Sequence, residues 1–198
     1  MTSTPQRSIA GSAAAPTSLT VDIPGWAWDS AGKVFATVDE RMQLVLDLAV
    51  GNIAEGGGPF GAAVFAADGT FIAPGINRVV LASVPIAHAE IVAIGLAAQA
   101  LGSWDVASLG SFELVSSTEP CAMCLGAVPW SGVERLVCGA RDSDAREVGF
   151  DEGHKPGDWV TALEAAGIAV TQDVLRTQAV ELLQGYASNG GAIYNGRS

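Results

Sequence analysis

Residues 111–130 read SFELVSSTEPCAMCLGAVPW. The apolar run over 111–116 predicts a strand, and the segment after it leads into a helix that begins near Cys121 and runs to about Trp130. Cys121 and Cys124 are three positions apart, so they share one face of the first helical turn. Both thiols therefore lie at a helix N-terminus, where the helix dipole favours the thiolate form.

A second motif, His88-Ala89-Glu90, falls in the first turn of a buried helix predicted over residues 87–101. One imidazole and two thiolates are a ligand set that suits a catalytic zinc site, in which water takes the fourth position. We therefore predict Zn²⁺ bound by His88, Cys121 and Cys124. Zinc lowers the pKa of its bound water to roughly 7, which would supply a hydroxide nucleophile, and Glu90 is left to act as proton shuttle.

Two simpler interpretations of the cysteines compete with a catalytic zinc. A closed structural site would need a fourth protein ligand, and metal-free buried thiols would need none. The remaining thiol, Cys138, lies in an apolar strand pattern and is expected to be a core residue. His154 lies in a polar loop.

Helices and strands alternate on both sides of these motifs. Helical spacing begins at Asp39 and ends at Gly56, and the Asp68-Gly69 turn predicts an antiparallel hairpin. Strands are predicted over 60–66, 70–80, 111–116, 136–139 and 168–174, and later helices over 160–167 and 176–187. Residues 142–153 are predicted to form a polar connection that has room for a short helix. This order predicts an α/β fold, a three-layer α/β/α sandwich with a mixed five-stranded sheet.

Composition limits the partners and the compartment. The formal net charge is −11, from 10 Lys and Arg against 21 Asp and Glu. Such a field repels polyanions, so we expect no nucleic-acid partner. No apolar run is long enough to cross a bilayer, so we expect no membrane partner. Three cysteines, two of them in a C-x-x-C pair, favour a reduced, metal-binding role and a cytoplasmic location.

Two regions are predicted along the chain. Residues 1–20 are rich in Ser, Thr, Ala and Pro and lack a hydrophobic signal core, so we predict a disordered tail there. Residues 21–198 are expected to form one catalytic domain. Trp26 and Trp28, near its start, are expected to pack through their indoles.

Taken together, the motifs resemble the cytidine deaminase superfamily, since H-x-E with P-C-x-x-C is the signature of zinc deaminases. Within it the chain looks most like the bacterial guanine deaminases. The resemblance runs from about Met42 to the C-terminus and includes Gly58–Val64, Asn77–Val79, Cys124–Ala127 with Trp130, and Gly149–Glu152. It implies a cytidine deaminase-like fold and the zinc-dependent hydrolysis of a free purine base, guanine, to xanthine and ammonia.

The resemblance also implies roles for residues outside the zinc motif. Asn77 would hydrogen-bond the purine edge, and the backbone amide of Ala89 would meet a ring carbonyl. Phe60 and Phe150 would flank the ring. Glu152 would be a second catalytic carboxylate, close to the leaving amine.

The same resemblance implies a homodimer in which the C-terminal part closes the pocket and can be exchanged between subunits. Tyr194 is the candidate lid residue. Other substrates remain open: another base such as cytosine, a nucleoside such as guanosine, or an aminotriazine such as ammeline. Residues 137–142 also resemble tRNA adenosine deaminases, although the acidic charge argues against that substrate. A zinc domain without catalytic activity, serving as an interaction module, is the remaining alternative.

Overall fold

The computed structural model describes residues 16–195 of the chain. The predicted disordered tail falls mainly on residues 1–15, which lie outside the described part. Residues 16–20 are exposed and belong to no helix or strand. Within the described residues, no helix has both the length and the apolar character needed to cross a bilayer.

A mixed sheet of five strands forms the centre of the fold, in the order β2-β1-β3-β4-β5. The strands are β1 (Gly61–Ala66), β2 (Phe71–Ile76), β3 (Phe112–Thr118), β4 (Arg135–Ala140) and β5 (Ala169–Thr171). β1 is antiparallel to both β2 and β3, whereas β3, β4 and β5 are parallel. The predicted hairpin and the predicted mixed sheet are both confirmed.

Helices cover the sheet. They are α1 (Val38–Ala54), α2 (Val79–Ala82), α3 (Ala89–Leu101), α4 (Ala122–Ala127), α5 (Asp142–Glu147), α6 (Trp159–Ala165) and α7 (Arg176–Ser188), with short 3₁₀ turns at Gly25–Trp28, Val106–Leu109 and Val128–Trp130. α1 begins at a capping box, in which Thr37 and Glu40 satisfy each other's backbone N–H groups.

The helices form one layer on each face of the sheet. α1 and α7 bury Met42 and Leu183 in a core that reaches Phe65 of β1. α3 and α6 bury Ala93 and Leu163 in a second core on the opposite face. This arrangement confirms the predicted three-layer α/β/α sandwich.

The strand predicted over 168–174 ends at Thr171 and the helix predicted over 160–167 ends at Ala165. Two further elements, both next to the cysteine and histidine motifs, also end earlier than predicted. The strand predicted over 70–80 stops at Ile76, because the side chain of Asn77 accepts a hydrogen bond from the backbone N–H of Val79 at 3.3 Å and turns the chain into α2. The helix predicted to run to Trp130 is α-helical only to Ala127, because Pro129 cannot donate a backbone hydrogen bond.

Candidate active site

The predicted site residues come together at one edge of the sheet. β1 begins where β2 ends, with Gly61 opposite Ile76. β3 and β4 end at this same edge, with Thr118 opposite Ala140. The loops that follow these strands, and the loop that precedes β1, therefore meet in one place.

The first turn of α3 is held directly beneath this edge. A Cβ atom on Gly75 of β2 would lie 2.0 Å from the carbonyl oxygen of Ala89. Only glycine allows the helix to approach the strand so closely. His88 is the N-cap residue of α3 and Glu90 lies in its first turn, as predicted.

His88, Cys121 and Cys124 are positioned to hold a metal ion. Their ligand atoms all lie within 4.8 Å of one another, and Cys121 Sγ is 3.5 Å from His88 Nδ1. A tetrahedral zinc with bonds of about 2.0–2.3 Å would space its ligand atoms roughly 3.5–3.8 Å apart. The donor set and its spacing therefore fit zinc. Cys138 is buried in β4 and stands apart from this group, as its strand pattern predicted.

The three side chains are electrostatically coupled. A hydrogen bond from the Cys124 thiol, together with the contact to His88, lowers the pKa of Cys121 to about 4. Cys124 donates that hydrogen bond, and this donation together with burial raises the pKa of its own thiol. The contact with Cys121 and the charge of Glu90 raise the pKa of His88, although burial opposes them. A divalent cation would displace the remaining thiol proton, because cysteine binds zinc as the thiolate.

Glu90 is buried beside the thiols, with 6% of its surface exposed. Burial is the main cause that raises its pKa to about 7, and the charge of Cys121 adds to it. A carboxyl group that titrates near neutral pH can both accept and donate a proton. Its geometry and its pKa therefore suit a general acid and base.

Glu152 reaches the same site from the loop that follows α5. Its carbonyl oxygen accepts a hydrogen bond of 2.9 Å from the N–H of Ala122, which ties the loop to the start of α4. The residue is buried, and burial raises the pKa of its carboxyl to about 8, with the charges of Cys121 and Glu90 adding to the effect. A second protonatable carboxyl thus stands next to the thiols.

Aromatic rings close the space above these groups. Phe60 and Phe150 are in edge-to-face contact with ring centroids 4.8 Å apart, and Phe150 contacts Tyr194 at 5.3 Å. The cavity that remains measures about 30 Å³ and is lined by Phe60, His88, Glu90, Thr118, Glu119, Cys121, Phe150, Asp151, Glu152 and Tyr194. Ligand pockets usually measure roughly 300 Å³ or more, so the two rings do not flank an open slot in this structure.

Tyr194 lines both this small cavity and a larger one of about 460 Å³. Its segment is fixed to the same chain, since Tyr186 donates to the carbonyl of Ala192 at 2.9 Å. Asn195 accepts a hydrogen bond from the N–H of Asp151 at 2.8 Å. The hydroxyl of Tyr194 is buried next to the side chain of Asn77; burial raises its pKa, and the hydrogen bond with Asn77 opposes that shift. The C-terminal segment therefore covers the site of its own chain.

Asn77 and Ala89 lie next to the site, although neither lines the small cavity in the described structure. Asn77 is 1% exposed, and both its Oδ1 and the Tyr194 hydroxyl would lie within 3.0 Å of a Cβ atom on Gly58. Ala89 is the first residue of α3. A helix leaves the N–H of such a residue without an internal partner.

The sequence reasoning missed two residues that support the site. Asn52 is fully buried on the otherwise apolar face of α1. A polar residue at a helical position that the spacing predicts to be buried could have identified it from the sequence. Lys155 is also nearly buried and pairs with Glu119 at 3.1 Å, next to the cysteine motif. Its place in a polar loop offered no such signal.

Comparison with known proteins agrees with this geometry. Residues 36–140, just over half of the chain, match the family model described as the cytidine and deoxycytidylate deaminase zinc-binding region. The guanine deaminase of Bacillus subtilis is 45% identical over 96 residues, which is 48% of this chain and 59% of that relative. The chain thus spans less than two thirds of this relative's length.

Solved structures extend the similarity over most of the chain. The guanine deaminase from Nitrosomonas europaea superposes with a TM-score of 0.85 at 44% identity, covering 89% of this chain and 100% of the other. A complex of the protein NE0047 with 2,6-diaminopurine gives a TM-score of 0.85 at 47% identity, covering 91% and 98%. With the matched zinc-binding region and the clustered His88, Cys121 and Cys124, the chain belongs to the cytidine and deoxycytidylate deaminase family.

Proposed function

We propose that this protein is a zinc-dependent guanine deaminase, which converts guanine and water to xanthine and ammonia. One observation carries the proposal: two buried carboxyl groups, Glu90 and Glu152, flank a candidate zinc site beneath aromatic rings. The similarity to guanine deaminases across nearly the whole described chain supports the choice of substrate. The purine ligand of NE0047 supports a small aminated heterocycle as the substrate class.

Glu90 carries the protons of the reaction. Zinc held by His88, Cys121 and Cys124 would acidify a water molecule and so provide the nucleophile near neutral pH. Glu90 would take a proton from the attacking water and deliver it to a ring nitrogen of the base. Glu90 would then take the proton of the added hydroxyl and pass it to the amine, so that the carbonyl forms, the C–N bond breaks and ammonia leaves.

Glu152 assists the departure of the amine. Burial raises the pKa of its carboxyl, so it can donate a hydrogen bond to the leaving group. The position of Glu152 next to Cys121 and Glu90 supports this role.

Asn77 and Ala89 hold the purine. The amide of Asn77 hydrogen-bonds the purine edge, and the backbone N–H of Ala89, at the positive end of α3, meets a ring carbonyl. Phe60 and Phe150 contact the ring faces after they separate. Tyr194 acts as the lid, and its place in the lining of the small cavity supports this role.

Two further features belong to the proposal. We expect a homodimer, which light scattering on the purified protein would test. The C-terminal segment closes its own site here, and an exchange of this segment between subunits stays a prediction. We also expect a cytoplasmic location, because a C-x-x-C pair that binds zinc needs reduced thiols.

The test is a substrate panel with purified, zinc-loaded protein. Guanine should yield xanthine and ammonia in equal amounts, followed by absorbance and an ammonia assay. Ammonia release from cytosine, guanosine or ammeline, with none from guanine, would assign the same chemistry to another substrate. Tight, salt-sensitive tRNA binding would instead favour the tRNA adenosine deaminase alternative, which the net charge of −11 opposes.

A further inference from the structure

Asn52 joins two segments that frame the proposed substrate site. The residue is 0% exposed. Its amide nitrogen donates to the carbonyl of Gly58 at 2.9 Å and to the carbonyl of Asn77 at 2.7 Å. A buried amide is costly unless it is hydrogen-bonded, and here both N–H groups are used. Asn52 therefore fixes the loop before β1 to the chain after β2.

The backbone of Asn77 is held at both ends. Its carbonyl accepts a second hydrogen bond from the N–H of Gly58 at 3.3 Å, and its own N–H donates to the carbonyl of Phe60 at 3.1 Å. A Cβ atom on Gly57 would lie 2.4 Å from the Asn52 amide, so the loop backbone passes directly over that side chain. The position of Asn77 thus depends on Asn52.

A second layer of contacts orients Asn52. Arg78 Nη1 donates to Asn52 Oδ1 at 3.1 Å and to Glu55 Oε2 at 2.9 Å. This contact directs the amide oxygen of Asn52 away from the two carbonyls, so that its N–H groups face them. The other carboxylate oxygen, Glu55 Oε1, accepts a hydrogen bond of 2.7 Å from Trp26 Nε1.

Trp26 anchors the N-terminal segment on the same helix. Its indole lies against Gly51 of α1, where a Cβ atom would come within 2.6 Å of the ring. A continuous chain of hydrogen bonds therefore runs from Trp26 through Glu55 and Arg78 to Asn52.

We infer that Asn52 is a positioning residue for Asn77 and that Trp26 supports it through Glu55 and Arg78. The inference rests on the proposed function, in which Asn77 contacts the purine. A displacement of a binding group by about 1 Å can cost as much as hundredfold in rate. Loss of the Trp26 hydrogen bond, at the far end of this chain of hydrogen bonds, should lower the catalytic efficiency by less than that. The loss should appear mainly as a higher KM, because Asn77 binds substrate and transition state alike.

The first test replaces Trp26 by Phe, which keeps an aromatic ring on Gly51 but removes the N–H donor. We expect KM for guanine to rise about threefold, a size typical of one lost hydrogen bond, while kcat stays within about twofold. Trp28→Phe is the matched control, because Trp28 lies in the same 3₁₀ turn and its indole packs in the other core. Equal KM values for the two variants would overturn the inference.

A double-mutant cycle separates positioning from general stability. In an Asn77→Ala background, Trp26→Phe should raise KM no further, since its effect passes through Asn77. The same threefold rise in KM in both backgrounds would show that the effect of Trp26 does not pass through Asn77. Asn52→Asp, which removes both donors, should raise KM more than Trp26→Phe, with zinc content and unfolding measured in parallel.

The two proposals fail in different ways. Wild-type protein that is inactive on guanine contradicts the proposed function, and the variants are then compared on whichever base it deaminates. Wild-type protein that is active on guanine, with Trp26→Phe indistinguishable from Trp28→Phe, contradicts only the positioning role.

Discussion

Replacing Lys155 by Met tests the buried ion cluster beside the cysteine motif. Lys155 Nζ lies 3.1 Å from Glu119 Oε2 and 3.4 Å from Asp142 Oδ1, and only 7% of its side chain is exposed. It also donates to the carbonyl of Pro120 at 3.3 Å and lies 4.9 Å from the ring centroid of Trp159. The substitution keeps most of the side-chain volume but leaves two carboxylates without their shared cation.

The expected cost follows from this burial. Removing one partner of a buried ion pair costs roughly 3–5 kcal/mol. Glu119 retains hydrogen bonds from Gln172 and from the backbone N–H of Asp142, so we expect the lower end, about 3 kcal/mol. For a protein of this size the melting temperature should fall by roughly 6–12 °C.

The assay is urea and thermal unfolding of the zinc-loaded protein, with two comparison variants. Arg141→Met removes an exposed ion pair to Asp173, whose side chains are 43% and 39% exposed, and should cost less than about 1 kcal/mol. Glu119→Gln combined with Lys155→Met should recover part of the loss, because no unpaired charge remains at that position. If Lys155→Met lowers the free energy of unfolding by no more than Arg141→Met does, the reasoning is refuted.

Three further perturbations address the site and the fold. Glu90→Gln should lower kcat by about hundredfold or more while zinc content, measured by atomic absorption, is unchanged; normal turnover in this variant would show that Glu90 is not the proton shuttle, and no turnover even in the wild type would favour the non-catalytic module. In Gly58→Ala the new Cβ atom would lie 2.1 Å from the Tyr194 hydroxyl oxygen, so the tyrosine must move away. We expect faster proteolysis of the C-terminal segment and an unchanged rate of proteolysis within α1. Asp144→Asn should destabilise the protein at pH 7, because the hydrogen bond from Arg176 lowers the pKa of this carboxyl. That contribution is present above the unfolded pKa of about 3.9 and is lost as pH falls through the folded value. The difference from wild type in acid unfolding should therefore shrink as the pH falls below about 4 and vanish only below the lowered folded pKa, and a constant difference would contradict this.

The zinc motif was predictable because its meaning lies in residue types and local spacing. His88 and Glu90 lie in one helical turn, and Cys121 and Cys124 in another, so sequence distance predicts spatial distance within each pair. The hairpin around Asp68-Gly69 and the fold class follow from patterns that are equally local.

Other features depend on contacts between distant segments. The Asn77 side chain ends β2 by bonding the next turn, which outweighs the strand preference of the following valines. Tyr194 was a lid candidate only through the family resemblance, and the pairing of Lys155 with Glu119 is not marked in the sequence at all. These arrangements follow from the way the loops pack together at the sheet edge, and no local sequence pattern predicts that packing.

The small cavity beneath Tyr194 has a practical consequence for finding inhibitors. Its volume of about 30 Å³ corresponds to only one or two water molecules. A virtual screen against this closed form would discard even the natural substrate, and soaking compounds into preformed crystals would require the lid to move within the lattice. Co-crystallisation, or a variant that weakens the Asn195 contacts to the loop, is therefore the better starting point for ligand discovery.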